Sequence, residues 1–218
     1  MKIEIWSDVI CPWCYIGKRR FESALADFAQ RDDVQMIWRS FELDAKSPRQ
    51  HPGTLNELLA SKYHVSPQQA AAMNERVSGI AKEVGLEYHL ENARPGNTFD
   101  AHRLLHFSAA RGLGDRATER VMQAYFSEEL PVGNRAALAR LAPEFGITES
   151  DALAMLESDA YADAVRADEA RAAGFGISGV PFFVFDEQFG VSGAQPVEVF
   201  AGALQQAGAT IKLPSKMK

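Results

Sequence analysis

Cysteine is scarce in this sequence, no long apolar run is present, and positive charge is outnumbered. Two cysteines in 218 residues cannot build the disulfide framework of a small secreted scaffold. No stretch approaches the roughly eighteen consecutive apolar residues of a membrane-crossing helix, so no membrane partner is expected. Lysine and arginine number 23 against 29 aspartates and glutamates, a net charge of −6. Nucleic acid is bound through clustered cations, so no nucleic-acid partner is expected either. The one basic cluster, Lys18-Arg19-Arg20, reads as a solvated helix face. The N-terminal Met1–Trp6 alternates as a strand does and lacks the apolar stretch of a secretory signal. With Met1 in place, a cytoplasmic location is the expectation.

What remains is a composition suited to a folded core, 46% hydrophobic and 24% charged. Lys2–Asp8 reads as a strand and Pro12–Gln30 as a helix, with Ile16, Phe21, Leu25 and Phe28 at near-helical intervals. Val34–Leu43 is rich in β-branched and aromatic residues and reads as a second strand. From about Thr54 to Gly174 the pattern is helix after helix. Ser66 with Gln69 forms a capping box ahead of a helix ending at Gly85, and Asn134 and Thr148 cap two others. A helix opens at Asn97 or Thr98, and another spans about Asp115–Glu129. A long Ala-rich stretch runs from Ser158 to Ala173. Strand character returns at Val180–Phe185 and Gly190–Ser192, and a last helix starts at Gln195-Pro196. The tail Leu213–Lys218 is expected to fray.

The order is βαβ, a helical block, then ββα. This predicts an α/β chain with a thioredoxin-like fold and a large all-helical insertion. Residues 1–50 and 175–218 form the thioredoxin-like domain, and 51–174 the inserted helical domain packed over the active-site end.

The two cysteines stand three apart as Cys11-Pro12-Trp13-Cys14, a spacing that chance produces roughly once in a hundred placements. Thiol–disulfide exchange proceeds through a thiolate. A helix N-terminus favours a thiolate through its unpaired N–H groups and the positive end of its dipole. Cys11 falls at the N-cap position, and Pro12 suits the first helical position. Cys14 sits one turn inside. Cys11 is therefore the expected exposed nucleophile and Cys14 the resolving thiol. A structural disulfide and half of a zinc site are the competing readings. His102 and His106, spaced i, i+4, would complete a Cys₂His₂ set, but they lie far outside the compact spacing of zinc modules, so no metal is expected.

A second signal is Gly179-Val180-Pro181. A proline at the start of a buried strand removes a ladder donor. In a cis peptide it sets the preceding backbone beside the nucleophilic sulfur as an edge for a substrate. Glu4 and Asp8 are candidates for a buried carboxylate behind the motif, and strand alternation puts both on one face. Asn97, His102 and Arg103 could face Cys11 from the inserted block and bind substrate. Pro12, Trp13 and Val180 are the nearest substrate contacts, and Trp6, Phe182 and Phe183 are either cleft or core.

On the segments Ser7–Glu22, Trp38–Leu43, Asn97–Phe107, Gly179–Phe185 and Val191–Phe200, the chain resembles the DsbA family of thioredoxin-fold oxidoreductases, in particular its FrnE-like branch. The resemblance implies that Cys11 and Cys14 are the redox pair and Pro181 a cis proline. It also implies protein or small-thiol disulfides as partners. Some FrnE-like members resemble this chain but carry a second cysteine pair near the C-terminus. None stands here, which makes simple oxidation or reduction a safer expectation than isomerase activity. Kappa-class glutathione transferases and 2-hydroxychromene-2-carboxylate isomerases are similar in layout. They typically have Ser at the position of Cys11 and act on small aromatic molecules with bound glutathione. No tightly bound cofactor is expected, and glutathione is a candidate co-substrate. A homodimer is compatible with the sequence and not required by it.

Overall fold

The computed structural model describes residues 1–211, with side chains to residue 209; the expected fraying of Leu213–Lys218 lies outside them. Lys2–Ser7 forms β1, Pro12–Ala26 α1 and Gln35–Ser40 β2. The helical block contains α2 (Leu55–Tyr63), α3 (Pro67–Glu83), α4 (Phe99–Ala109), α5 (Gly114–Ser127), α6 (Arg135–Leu141), α7 (Glu149–Glu157) and α8 (Ala162–Gly174). β3 (Phe182–Phe185), β4 (Phe189–Ser192) and α9 (Val197–Ile211) complete the chain. The sheet order is β2-β1-β3-β4. β1 pairs parallel with β2 and antiparallel with β3, and β3 pairs antiparallel with β4. This is the expected βαβ–ββα arrangement around a helical block.

The centre of the sheet is β1, and the two faces of that strand bury different chemistry. Ile3 and Ile5 join Phe21 of α1, Phe183 and Phe185 of β3 and Phe200 of α9 in one apolar cluster. Trp6, on the other face, packs with Ala172 of α8, Ile177 and Val184. Its indole N–H donates to the Asp168 carbonyl at 2.9 Å, so Trp6 is core, as is Phe183. The helical block has its own core, and that core continues into the start of α1 through Val9, Cys11, Cys14, Tyr15 and Ile16.

Local signals set most of the helix starts. Ser66 and Gln69 close a full capping box, and Asn134 and Thr148 each accept from the N–H three residues on. α2 begins with the same device, Thr54 with Glu57. The Ala-rich stretch is broken where Ser158 caps α7 and Tyr161, at φ 64°, starts α8. α1 ends at Ala26 with Asp27 as its cap, so the expected run to Gln30 is too long.

Two readings of charge are corrected. Lys18-Arg19-Arg20 is not a solvated face. Lys18 is buried and pairs with Glu22, with Glu119 at 2.9 Å and with Asp115 at 3.6 Å. Arg19 pairs with Glu119 and Glu22, and Arg20 donates to the Ala194 carbonyl at 2.7 Å. The cluster docks α1 onto α5 and β4's outgoing loop. Burial pushes the Glu119 carboxyl up, but Arg19, Tyr15 and Lys18 outweigh it and hold it at about 2. Arg103 is buried as well. It donates to the carbonyls of Met155, Leu156, Ser158 and Ala160 and to Asp100 at 2.7 Å. Its donors close the C-terminal end of α7, where helix carbonyls have no partner of their own, and none is left for a substrate.

Glu4 ties the sheet to α8. Arg39 of β2 donates to it at 2.8 and 2.5 Å, and Arg171 of α8 at 3.0 and 2.7 Å. Burial raises the Glu4 carboxyl, but the hydrogen bonds and charges of Arg171 and Arg39 win and hold it at about 2, against the usual 4.5. A folded-state value below the unfolded one gives stability that is present above pH 4.5 and is lost as pH falls toward 2. Chemical denaturation at neutral pH should find Glu4→Gln less stable by roughly 3 kcal/mol. Its acid loss should be shallower than the parent's over that window; parallel acid profiles would contradict this role.

Candidate active site

Cys11 is the N-cap of α1, with extended backbone (φ −84°, ψ 113°) and Pro12 as the first helical residue. The chain turns tightly into it. The Cys11 N–H donates to the Asp8 carbonyl at 3.1 Å, and the Cys14 N–H to the Cys11 carbonyl at 3.0 Å. The Tyr88 hydroxyl from the helical block donates to the Pro12 carbonyl at 2.9 Å. Tyr88 stacks on Phe126 at 4.4 Å, and Tyr15 of α1 lies 6.0 Å from the same ring. These aromatic contacts press the first turn of α1 against the block.

Both cysteines are thiols in this structure. The expectation of an exposed Cys11 needs correction: its accessibility is 4%, against 1% for Cys14. Cys11 reaches solvent through one cleft, a cavity of about 460 Å³ that it lines with Pro12, Trp13 and Val180. Trp13 itself is exposed. Cys14 does not line the cleft. Burial is the main reason its thiol is pushed well up, and the neighbouring Cys11 sulfur adds to it. The Ser7 hydroxyl and Asp8 backbone, which face Cys14, oppose this only in part.

The Val180–Pro181 peptide is cis. The Cys11 thiol donates to the Val180 carbonyl at 3.7 Å, so this backbone stands beside the sulfur. Gly17 of α1 permits the approach: a Cβ there would lie 3.0 Å from the Pro181 ring.

The two carboxylate candidates separate cleanly. Glu4 is committed to two arginines and is ionised at neutral pH. Asp8 is fully buried. Its Oδ2 accepts from the Leu43 N–H at 2.8 Å. Its Oδ1 lies 3.4 Å from the Nε2 of buried His102, and neither atom has another hydrogen-bond partner.

The remaining expected site residues lie away from the cleft. His102 faces Asp8, and His106 lies 3.0 Å from Asp168 and 3.1 Å from the Ser40 hydroxyl. Among the described residues, no three His, Cys, Asp or Glu side chains gather to hold a metal. Asn97 donates to Glu42 at 3.1 Å and caps Phe99, so it fastens the start of α4. The neighbouring Gly96 and Thr98 line the cleft instead. The cleft wall from α2 and α3, including Leu58, Leu59 and Val77, was not read from the sequence; the half-buried leucines of the Thr54-capped helix were its one local trace.

A family model for the DSBA-like thioredoxin domain matches residues 2–205. A crystal structure described as a probable DsbA oxidoreductase from Streptomyces coelicolor is 43% identical, with a TM-score of 0.94 over 100% of this chain and 94% of that one. A 2-hydroxychromene-2-carboxylate isomerase structure is 16% identical with a TM-score of 0.71, covering 98% of this chain and all of the other. The cytosolic disulfide reductase DsbM from Pseudomonas aeruginosa, solved with glutathione, is 14% identical with a TM-score of 0.62, over 97% and 98% of the two chains. The last two likenesses concern the fold alone. Among the described residues, no helix is long and apolar enough to cross a membrane. With a dithiol motif at a helix start, a cis peptide beside its first sulfur and a family match across nearly its whole length, the chain belongs to the DSBA-like thioredoxin domain family of thiol–disulfide oxidoreductases.

Proposed function

We propose that this protein exchanges disulfides in the cytoplasm through a mixed disulfide at Cys11, resolved by Cys14. The observation that carries this reading is the unequal placement of two thiols in one turn. Cys11 lines the cleft beside Val180, while Cys14 is buried beneath it and held protonated. A substrate disulfide can therefore meet only Cys11. Its thiolate attacks one substrate sulfur, the substrate S–S bond breaks, and the departing thiolate takes a proton. Cys14 then loses its proton and attacks the Cys11 sulfur. The second substrate thiolate leaves, and an intramolecular disulfide remains.

The buried Cys14 proton needs an acceptor in that second step. We assign that role to Asp8, whose backbone faces Cys14 and whose buried Oδ1 has no hydrogen-bond partner, with His102 Nε2 3.4 Å beyond it. Ser7, His102 and His106 line a second cavity of about 480 Å³, which reaches the exposed Gln35 and Asp115 beside β2. We assign the proton's exit to this cavity, which shares no lining residue with the substrate cleft. FrnE-like placement and glutathione as reducing co-substrate are consistent with this scheme.

Three outcomes test it. Cys14→Ser should accumulate a covalent adduct on Cys11 with a disulfide probe, visible by intact mass, because the resolving thiol is gone. Cys11→Ser should lose turnover by at least a thousandfold, whereas a glutathione-dependent isomerase built on a serine would keep most of its rate. Asp8→Asn should slow resolution of a preformed mixed disulfide by roughly a hundredfold at neutral pH and move the rate profile to higher pH. A merely structural Asp8 would lower stability with the pH profile in place.

A further inference from the structure

The cleft that opens on Cys11 has a chemical character of its own. Six large apolar side chains are exposed among the described residues, and four of them (Trp13, Leu43, Tyr63 and Met73) stand on this one cavity. Leu58 and Leu59 of α2 face it from the wall. Two cations, Lys62 of α2 and Arg76 of α3, line it as well. Neither makes an ion pair among the described residues; Lys62 rests 6.0 Å from the Tyr63 ring. Lining the cavity with them is one carboxylate, Asp44, which accepts from the Lys46 N–H at 3.0 Å. In a chain of net charge −6, an apolar mouth with two unpaired cations is a local reversal of sign. α2 is joined to α3 through the Asn74–Asn56 hydrogen bond at 2.7 Å, which holds the two cations on one wall.

Size and access narrow the occupant further. A cavity of about 460 Å³ suits one small ligand. Cys11 is 4% accessible at its lining, which favours a small disulfide that enters the cleft over one displayed on a folded surface. The walls from α2 and α3 are helical and offer side chains and no strand edge, and the Val180 carbonyl, 3.7 Å from the Cys11 sulfur, is the backbone group beside it.

We infer that the preferred substrate is a small disulfide with an aromatic or aliphatic body and a carboxylate, the body held by the apolar mouth and the carboxylate by Lys62 and Arg76. This rests on the exchange reading above and names its substrate class. Cys11 takes the sulfur bearing the apolar half and forms the mixed disulfide, and the other half leaves as a thiolate. Cys14 then releases the first half as a second thiolate. The substrate gains two electrons, the protein dithiol loses two, and a low-molecular-weight thiol such as glutathione resets the pair as co-reactant.

The test is single-turnover reaction of the fully reduced protein with three probes. They are dithiobis(nitrobenzoate), aromatic and anionic; dithiodipyridine, aromatic and neutral; and glutathione disulfide, anionic and polar. Each rate is normalised to that of dithiothreitol with the same probe. The normalised rate with dithiobis(nitrobenzoate) should exceed that with glutathione disulfide. The Lys62→Gln/Arg76→Gln double variant changes exposed helix positions, and its fold is checked by circular dichroism. It should lower the ratio of the anionic to the neutral aromatic rate about tenfold at low salt. A ratio that stays at the parent value would overturn the inference, as would insulin disulfides reacting faster than all three probes. Failure of every probe, and of insulin, to react at Cys11 would instead overturn the exchange reading beneath it.

Discussion

The constraint on which the rest of this structure depends is that two sulfurs one helical turn apart must occupy different environments. A turn of helix separates residues three apart by only a few ångströms, so the difference cannot come from α1 itself. It comes from what is packed around the turn. The sheet places β1 so that its chain runs out at Asp8 and turns into Cys11 through the Asp8 carbonyl. The helical block packs its apolar core against both cysteines and leaves only Cys11 on the lining of a cleft. Remove either layer and both thiols would face water alike.

The helical block is thus part of the site and not a cover over it. It supplies Tyr88 to the Pro12 carbonyl, His102 to Asp8, and the α2–α3 wall to the cleft. Its docking is electrostatic as well as apolar. Glu119 of α5 gathers Lys18, Arg19 and the Tyr15 hydroxyl on the flank of α1. Glu4 does the same for the sheet and α8 through Arg39 and Arg171. Such buried pairs add little net stability against apolar packing, but breaking one leaves a charge without a partner. They therefore fix which faces meet, and so where the two sulfurs lie.

Much of this was legible in the sequence, for reasons that are local. The cysteine spacing, Pro12 at the helix start, the capping box at Ser66 and the caps at Asn134 and Thr148 each act within four residues. The choice between Glu4 and Asp8 was not legible, because strand alternation puts both on one face. Partners distant in sequence decide it: Arg39 and Arg171 for Glu4, His102 for Asp8. His102 and His106 share a helix face by their i, i+4 spacing, and the two rings meet different aspartates on different elements. Lys18 read as surface charge and Arg103 as a substrate contact because nothing in their neighbourhood announces the acidic and carbonyl partners that bury them. The cleft, built by side chains from α1, α2 and α3, is a tertiary object with no short sequence signature.

The central claim is that Cys11 and Cys14 form one reversible redox couple. It is tested most directly by equilibrating the protein in glutathione buffers of graded poise and counting free thiols by alkylation and intact mass. The account predicts one two-electron transition, with both thiols lost and regained together at a defined potential. A protein that keeps two free thiols at every poise, or that loses only Cys11 to a glutathione adduct, would contradict it.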